Sequence, residues 1–195
     1  MRMRGLKTML IALAALIAPV AATAQTEITA APGPWSPPSV AVSFPETIGE
    51  YRRVRVTEFG PRNYGVGYVL ERGGKRLNTL TVFVYTYGEA RDCREEFESA
   101  RTSILKANPA ATLRKSGMAA SPRGTPGAAL HASYAYTAKY AETQALPLTS
   151  DLYLYCKPGS QWFVKARTSW PASSDMSGEA ATILRAINWP SEVTD

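Results

Sequence analysis

The sequence predicts an α+β domain: an antiparallel β-sheet with one long helix packed on one face and a short C-terminal helix. Three observations carry this. Alternating runs at 64–71 and 76–87 flank Gly73-Gly74, a strong hairpin signal. Between 89 and 108, Ala90, Cys93, Phe97, Ala100 and Ile104 recur at steps of three and four, one apolar stripe on a charged segment. Beyond residue 128 the strand-like alternation returns in three further runs.

In chain order, the first segment is an address. Arg2, Arg4 and Lys7 precede an apolar run at 9–18, then Pro19 and small residues up to Ala22-Thr23-Ala24, an A-x-A cleavage pattern. Residues 1–24 therefore read as a secretory signal peptide that leaves Gln25 at the mature N-terminus. The run is interrupted by Pro19 and falls short of the ~20 residues that a spanning helix needs. No cysteine marks a lipid attachment point there, and no later segment is apolar enough to span a bilayer. The expected location is extracytoplasmic: periplasm if the source is Gram-negative, otherwise secreted.

Residues 25–43 carry Pro32, Pro34, Pro37 and Pro38 around Gly33 and Trp35, a density that opposes helix and central strand and predicts an extended leader. The folded domain is expected over 44–190, from Phe44-Pro45-Glu46, with 191–195 as a tail. In 51–58, Val54 and Val56 alternate with Arg53 and Arg55, an edge-strand pattern. A two-residue turn at Gly73-Gly74 sets Glu71 opposite Arg76, Tyr68 opposite Thr79 and Tyr64 opposite Phe83. That register gathers Tyr64, Val66, Tyr68, Phe83, Tyr85 and Tyr87 on one face. It puts Gly65, Gly67, Leu80, Val82 and Val84 on the other, where the glycines leave room for the helix.

The helix is predicted over 89–108, with Glu89 and Asp92 near its positive end and Asn108-Pro109 as its stop. Residues 116–127 read as loop. Residues 128–138 alternate Leu130, Tyr134 and Tyr136 with His131, Ser133 and Thr137. Residues 151–157 put Leu152, Leu154 and Cys156 on one side, Tyr153 and Tyr155 on the other. A three-residue loop at Pro158-Gly159 then aligns Cys156 with Trp162 and Tyr155 with Phe163. A short helix over 177–187 buries Ala180, Ile183, Leu184 and Ile187 before Trp189-Pro190 ends it.

This layout, from Phe44-Pro45-Glu46 through a hairpin and one helix to Trp162-Phe163-Val164-Lys165 and a last short helix, resembles the PsbP/Mog1-like group of α/β domains. It also resembles small exported bacterial proteins of unassigned function. The resemblance implies an antiparallel sheet flanked by helices and a role as a binding or assembly factor. It implies no particular functional residue.

Charge excludes one class. Removing Arg2, Arg4 and Lys7 lowers the 22 basic residues to 19 against 16 acids, a formal +3 in place of +6. No dense basic stripe remains, so nucleic acid is not an expected partner. Cys93 and Cys156 are each expected to face the core, one from the helix and one from a strand. That placement suits a helix-to-sheet disulfide between Cys93 and Cys156, which is the expectation in a compartment that favours oxidation; two separate buried thiols are the alternative.

The search for chemistry is short. The single histidine, His131, lies beside Ser133 in a strand, and zinc needs three or four ligands. No nucleophile-elbow, phosphate-loop or zinc-helix motif occurs, and Gly65-Val66-Gly67 lacks a dinucleotide fingerprint's third glycine. Glu95, Glu96 and Glu98 are expected in solvent, opposite the apolar stripe. No cofactor or metal is expected. The unusual feature is tyrosine, ten in all. Tyr64, Tyr68, Tyr85, Tyr87, Tyr153 and Tyr155, with Lys165 and Arg167, form the candidate binding face; the alternative is a second core layer. The leading expectation is a non-enzymatic envelope protein that binds a small ligand or another envelope protein. The alternatives are a hydrolase-type enzyme around His131 and Ser133, or a purely structural envelope component.

Overall fold

A computed structural model describes residues 25–86, 92–141 and 144–194. The signal-peptide segment, Tyr87 and the predicted helix start at Glu89 and Ala90 lie outside the described residues. Nine strands and two helices follow in order: β1 (Thr26–Glu27), β2 (Thr47–Ile48), β3 (Tyr51–Gly60), β4 (Asn63–Arg72), β5 (Lys75–Thr86), α1 (Cys93–Ala107), β6 (Thr112–Ala119), β7 (Ala129–Lys139), β8 (Ala145–Cys156), β9 (Trp162–Pro171) and α2 (Glu179–Ala186). All the strands join one antiparallel sheet in the order β1-β3-β4-β5-β9-β8-β7-β6, with β2 also paired to β3.

The expected α+β class is corrected by these proportions. Strand takes 50 % of the described residues and helix 14 %, so this is a mostly β protein with two short helices. Among the described residues no long helix lies along a face: α1 has 15 residues and α2 has eight. Two strand segments lay hidden from the sequence reading. Thr112–Ala119 forms edge strand β6, although 116–127 reads as loop, because nearly every β6 side chain is exposed and gives no burial alternation. Residue 145 already begins β8, whose proline, Pro147, obscures the pattern.

Connectivity explains the layers. Strands β3–β5 and β6–β9 are two meanders joined at the β5–β9 pairing. The chain leaves β5 at the sheet centre and passes through α1 to the far edge at β6. The disulfide Cys93–Cys156, with a Cα separation of 5.9 Å, ties the start of α1 to the end of β8. Phe97, Ala100 and Ile104 pack there with Ala132, Tyr134, Leu152 and Leu154, forming a core on what we term the back face.

The front face carries the larger core. Tyr64, Val66 and Tyr68 of β4, Leu80, Val82 and Val84 of β5, and Val164 and Ala166 of β9 pack against α2 and against Val42 and Phe44. The segment before Phe44 is thus part of the packed body, with Val42 wholly buried. Arg53 fixes it by donating to the carbonyls of Phe44 (2.8 Å), Ala31 (3.1 Å) and Gly33 (2.9 Å). At the other end Val193 and Thr194 are also buried, and Arg123 donates to Thr194 Oγ1 at 2.9 Å.

Two registers differ from expectation by one residue each, one through a bulge and one through a longer loop. Gly73 and Gly74, at φ 56° and 73°, make the expected tight turn and set Glu71 opposite Arg76. A bulge then intervenes, so Leu70 pairs with Asn78, Tyr68 with Leu80 and Tyr64 with Val84. One extra residue inverts every later pairing. At β8–β9 the longer loop pairs Cys156 with Phe163 and Tyr155 with Val164, again one residue away from the expected register. A further bulge, in β3 between Arg53 and Arg55, turns Val54 into solvent while Val56 stays buried.

Candidate functional site

These register changes divide the aromatic face expected from the sequence. Tyr64, Tyr68 and Tyr155 belong to the front-face core, and the Tyr68 hydroxyl donates to the Pro45 carbonyl at 2.8 Å. Tyr85, Lys165 and Arg167 project from the back, alternating with the front-facing Val84 and Ala166. Tyr87 lies outside the described residues. Tyr153 occupies a third setting, the front face of β8 near the uncovered end of the sheet.

On the back face, the Tyr85 ring stacks on Phe163 with centroids 5.5 Å apart. Lys165 Nζ lies 4.8 Å from the Phe83 ring centre and 5.0 Å from that of Tyr85. The Tyr85 hydroxyl donates to Glu96 Oε1 at 2.7 Å. Burial pushes the Lys165 ammonium below its ordinary pKa, and the neighbouring Glu96 charge opposes that shift. Glu96 is a correction: it is 2 % exposed instead of solvated. It stands three residues after Cys93 and four before Ala100, so helical spacing puts it inside the apolar stripe. These side chains satisfy one another within the packing. Glu95 and Glu98 remain exposed.

The front face beyond α2 is different. Strand β7 presents His131 and Ser133, and β8 presents Tyr153 and Asp151 directly opposite them. The imidazole of His131 stacks on the Tyr153 ring with centroids 4.6 Å apart. Tyr153 donates to Asp151 Oδ2 at 3.1 Å, and His131 Nε2 lies 3.4 Å from the same oxygen. Burial, then the Asp151 charge, holds the Tyr153 hydroxyl well above its usual pKa, so it remains a neutral donor.

These groups line a cavity of about 520 Å³ together with Lys115 and Met118 of β6, Trp170 of β9 and the 174–177 segment that leads into α2, including Asp175. Asp151 is 4 % exposed and His131 is 9 % exposed. Among the described residues neither Asp151 Oδ1 nor His131 Nε2 has a hydrogen-bond partner.

No family model, curated protein or solved structure matches this chain. Ser133, His131 and Asp151 have the side-chain types of a hydrolytic triad, but among the described residues no hydrogen bond joins Ser133 to His131. A triad needs that contact on one ring nitrogen and the carboxylate on the other. The described residues also hold no group of three His, Cys, Asp or Glu side chains suited to a metal ion. What remains is a recess whose buried wall combines an acceptor with a group able to donate or accept.

Sequence reasoning named His131, Ser133 and Tyr153 and missed Asp151 and Trp170. The available signal was a pair of two-residue spacings: His131-x-Ser133 in one strand and Asp151-x-Tyr153 in the next. Each spacing puts both side chains on one face. Only the register, Ser133 against Asp151, puts the two pairs together.

Proposed function

We propose that this chain is an exported, non-enzymatic binding protein of the cell envelope, with its ligand seated in the front-face cavity around His131, Asp151 and Tyr153. One observation carries the reading: two polar atoms, Asp151 Oδ1 and His131 Nε2, are buried in a cavity wall without partners. Leaving such a group unsatisfied costs roughly 1–3 kcal/mol, a cost offset when a ligand supplies the missing bond. The cavity volume lies within the ~300–1000 Å³ typical of small-molecule sites. The disulfide is consistent with an extracytoplasmic protein. Among the described residues no helix is long and apolar enough to cross a membrane.

The test is native mass spectrometry of protein purified from its own host. The wild type should carry an added mass that Asp151→Ala loses and that a Tyr85→Ala, Lys165→Ala double variant keeps. Loss only in the double variant would move the binding surface to the back face. A bare mass in every form, together with self-association, would favour a purely structural envelope component.

A further inference from the structure

We infer that the ligand of this cavity is a saccharide, held by its hydroxyl groups against Asp151 and His131; this rests on the binding reading above. The two unpartnered atoms set the requirement. A carboxylate oxygen only accepts, whereas an imidazole nitrogen accepts or donates according to its tautomer. A hydroxyl meets both demands at once, donating to Asp151 Oδ1 and accepting from His131 Nε2–H. An ammonium group satisfies the carboxylate but offers nothing to a donating imidazole. A carboxylate ligand faces the buried charge of Asp151 instead.

The rest of the wall fits the same chemistry. Ser133, Thr149, Ser174 and Ser177 contribute hydroxyls around the recess, suited to a ligand with several hydroxyls at different heights. Trp170, 3 % exposed, packs beside them as part of the recess floor. The Tyr153 hydroxyl donates to Asp151 Oδ2, which leaves Oδ1 as the oxygen for the ligand. Lys115 and Asp175 complete the lining, so an ammonium and a second carboxylate stand among the hydroxyls and the wall offers both donors and acceptors to a ligand with several hydroxyls.

The experiment is a titration of the folded, disulfide-intact protein, followed by the NMR signals of the His131 ring and by calorimetry. One set of probes is glucose, galactose, ribose and N-acetylglucosamine; the other is choline, lysine and acetate. At least one saccharide should shift the His131 signals and release heat, and the charged probes should do neither. Asp151→Asn should weaken that binding about ten-fold or more, the loss expected for one charge-assisted hydrogen bond. Tyr153→Phe, which keeps the ring that packs on His131, should weaken it less and serves if Asp151→Asn does not fold. Binding of choline or lysine at His131 without any saccharide would overturn the saccharide assignment and leave the binding reading standing. Silence from every probe on a protein that carries a host-derived mass would overturn the assignment in the same way. Silence together with a bare native mass would overturn both.

Discussion

At the scale of single residues, the informative side chains are polar groups in apolar surroundings. Glu96 is buried, and the Tyr85 hydroxyl answers it at 2.7 Å. Asp151 is buried too, yet one of its oxygens lacks a partner. A site that keeps such a group sacrifices stability for function. Asp151→Asn should therefore raise the stability of the ligand-free protein by about 1 kcal/mol in denaturant unfolding while retention of the native ligand is lost. A destabilised variant would mean that the carboxylate serves the fold instead. Tyr140 makes a separate prediction. Burial pushes its hydroxyl up to about 12, a hydrogen bond with Thr79 opposes that shift, and the hydroxyl donates to the Ser169 carbonyl at 3.0 Å. A folded pKa above the ordinary value near 10 gives stability that is complete below pH 10 and lost as pH rises through 12. The denaturant midpoint of the wild type should fall across that window, and Tyr140→Phe should show a shallower fall.

Elements are governed here by bulges and by two constraints on packing. Gly65 lies against an aromatic pair: an added Cβ would stand 2.9 Å from Phe59 Cε2 and 3.1 Å from Phe83 Cδ1. Gly65→Ala should cost about 1–3 kcal/mol, because both rings must shift; an unchanged melting temperature would show that they move freely. The sequence reading expected this glycine to admit a helix, and the inverted register of β4 and β5 admits the two phenylalanines instead. Strand existence was readable wherever alternation met burial, as at Tyr64–Leu70 and Leu80–Val84. It was hidden in β6, where both faces meet solvent. Register was not readable, since one bulge residue at Leu77 carries no distinctive side chain, yet it decides which tyrosines share a face. The candidate site suffered accordingly: the residues of its β7 half could be named, but the Asp151 partner depended on register. Helix α1 was readable from its stripe, and its N-cap is Asp92, whose Oδ1 accepts from Arg94 N at 2.6 Å. The disulfide closes a loop of 63 residues, worth about 4 kcal/mol in the chain-entropy model. Reduction should expose α1 amides to hydrogen exchange before those of β3–β5. Uniform loss of protection would show that α1 and the N-terminal meander unfold as one unit.

For the whole molecule, the arrangement of covers decides where a ligand fits. The N-terminal meander is covered on its front by residues 35–48 and by α2, while α1 covers the C-terminal meander on its back. The front of β7 and β8 is bordered by Lys115 and Met118 of β6, by Trp170 and by the 174–177 segment, and that is where His131, Asp151 and Tyr153 meet. Nothing in the core requires an imidazole and a carboxylate at this position; apolar residues would pack there at lower cost. Their presence is the central reason for assigning the cavity to a ligand. His131 is the chain's single histidine, so its ring signals report on this cavity alone. The most direct measurement compares the His131 ring resonances of protein purified natively from its host with those of the same protein unfolded, dialysed and refolded with the disulfide intact. A bound ligand gives two distinct spectra for the wild type and coincident spectra for Asp151→Asn. Identical His131 signals in the native and refolded wild type would contradict ligand binding in this cavity.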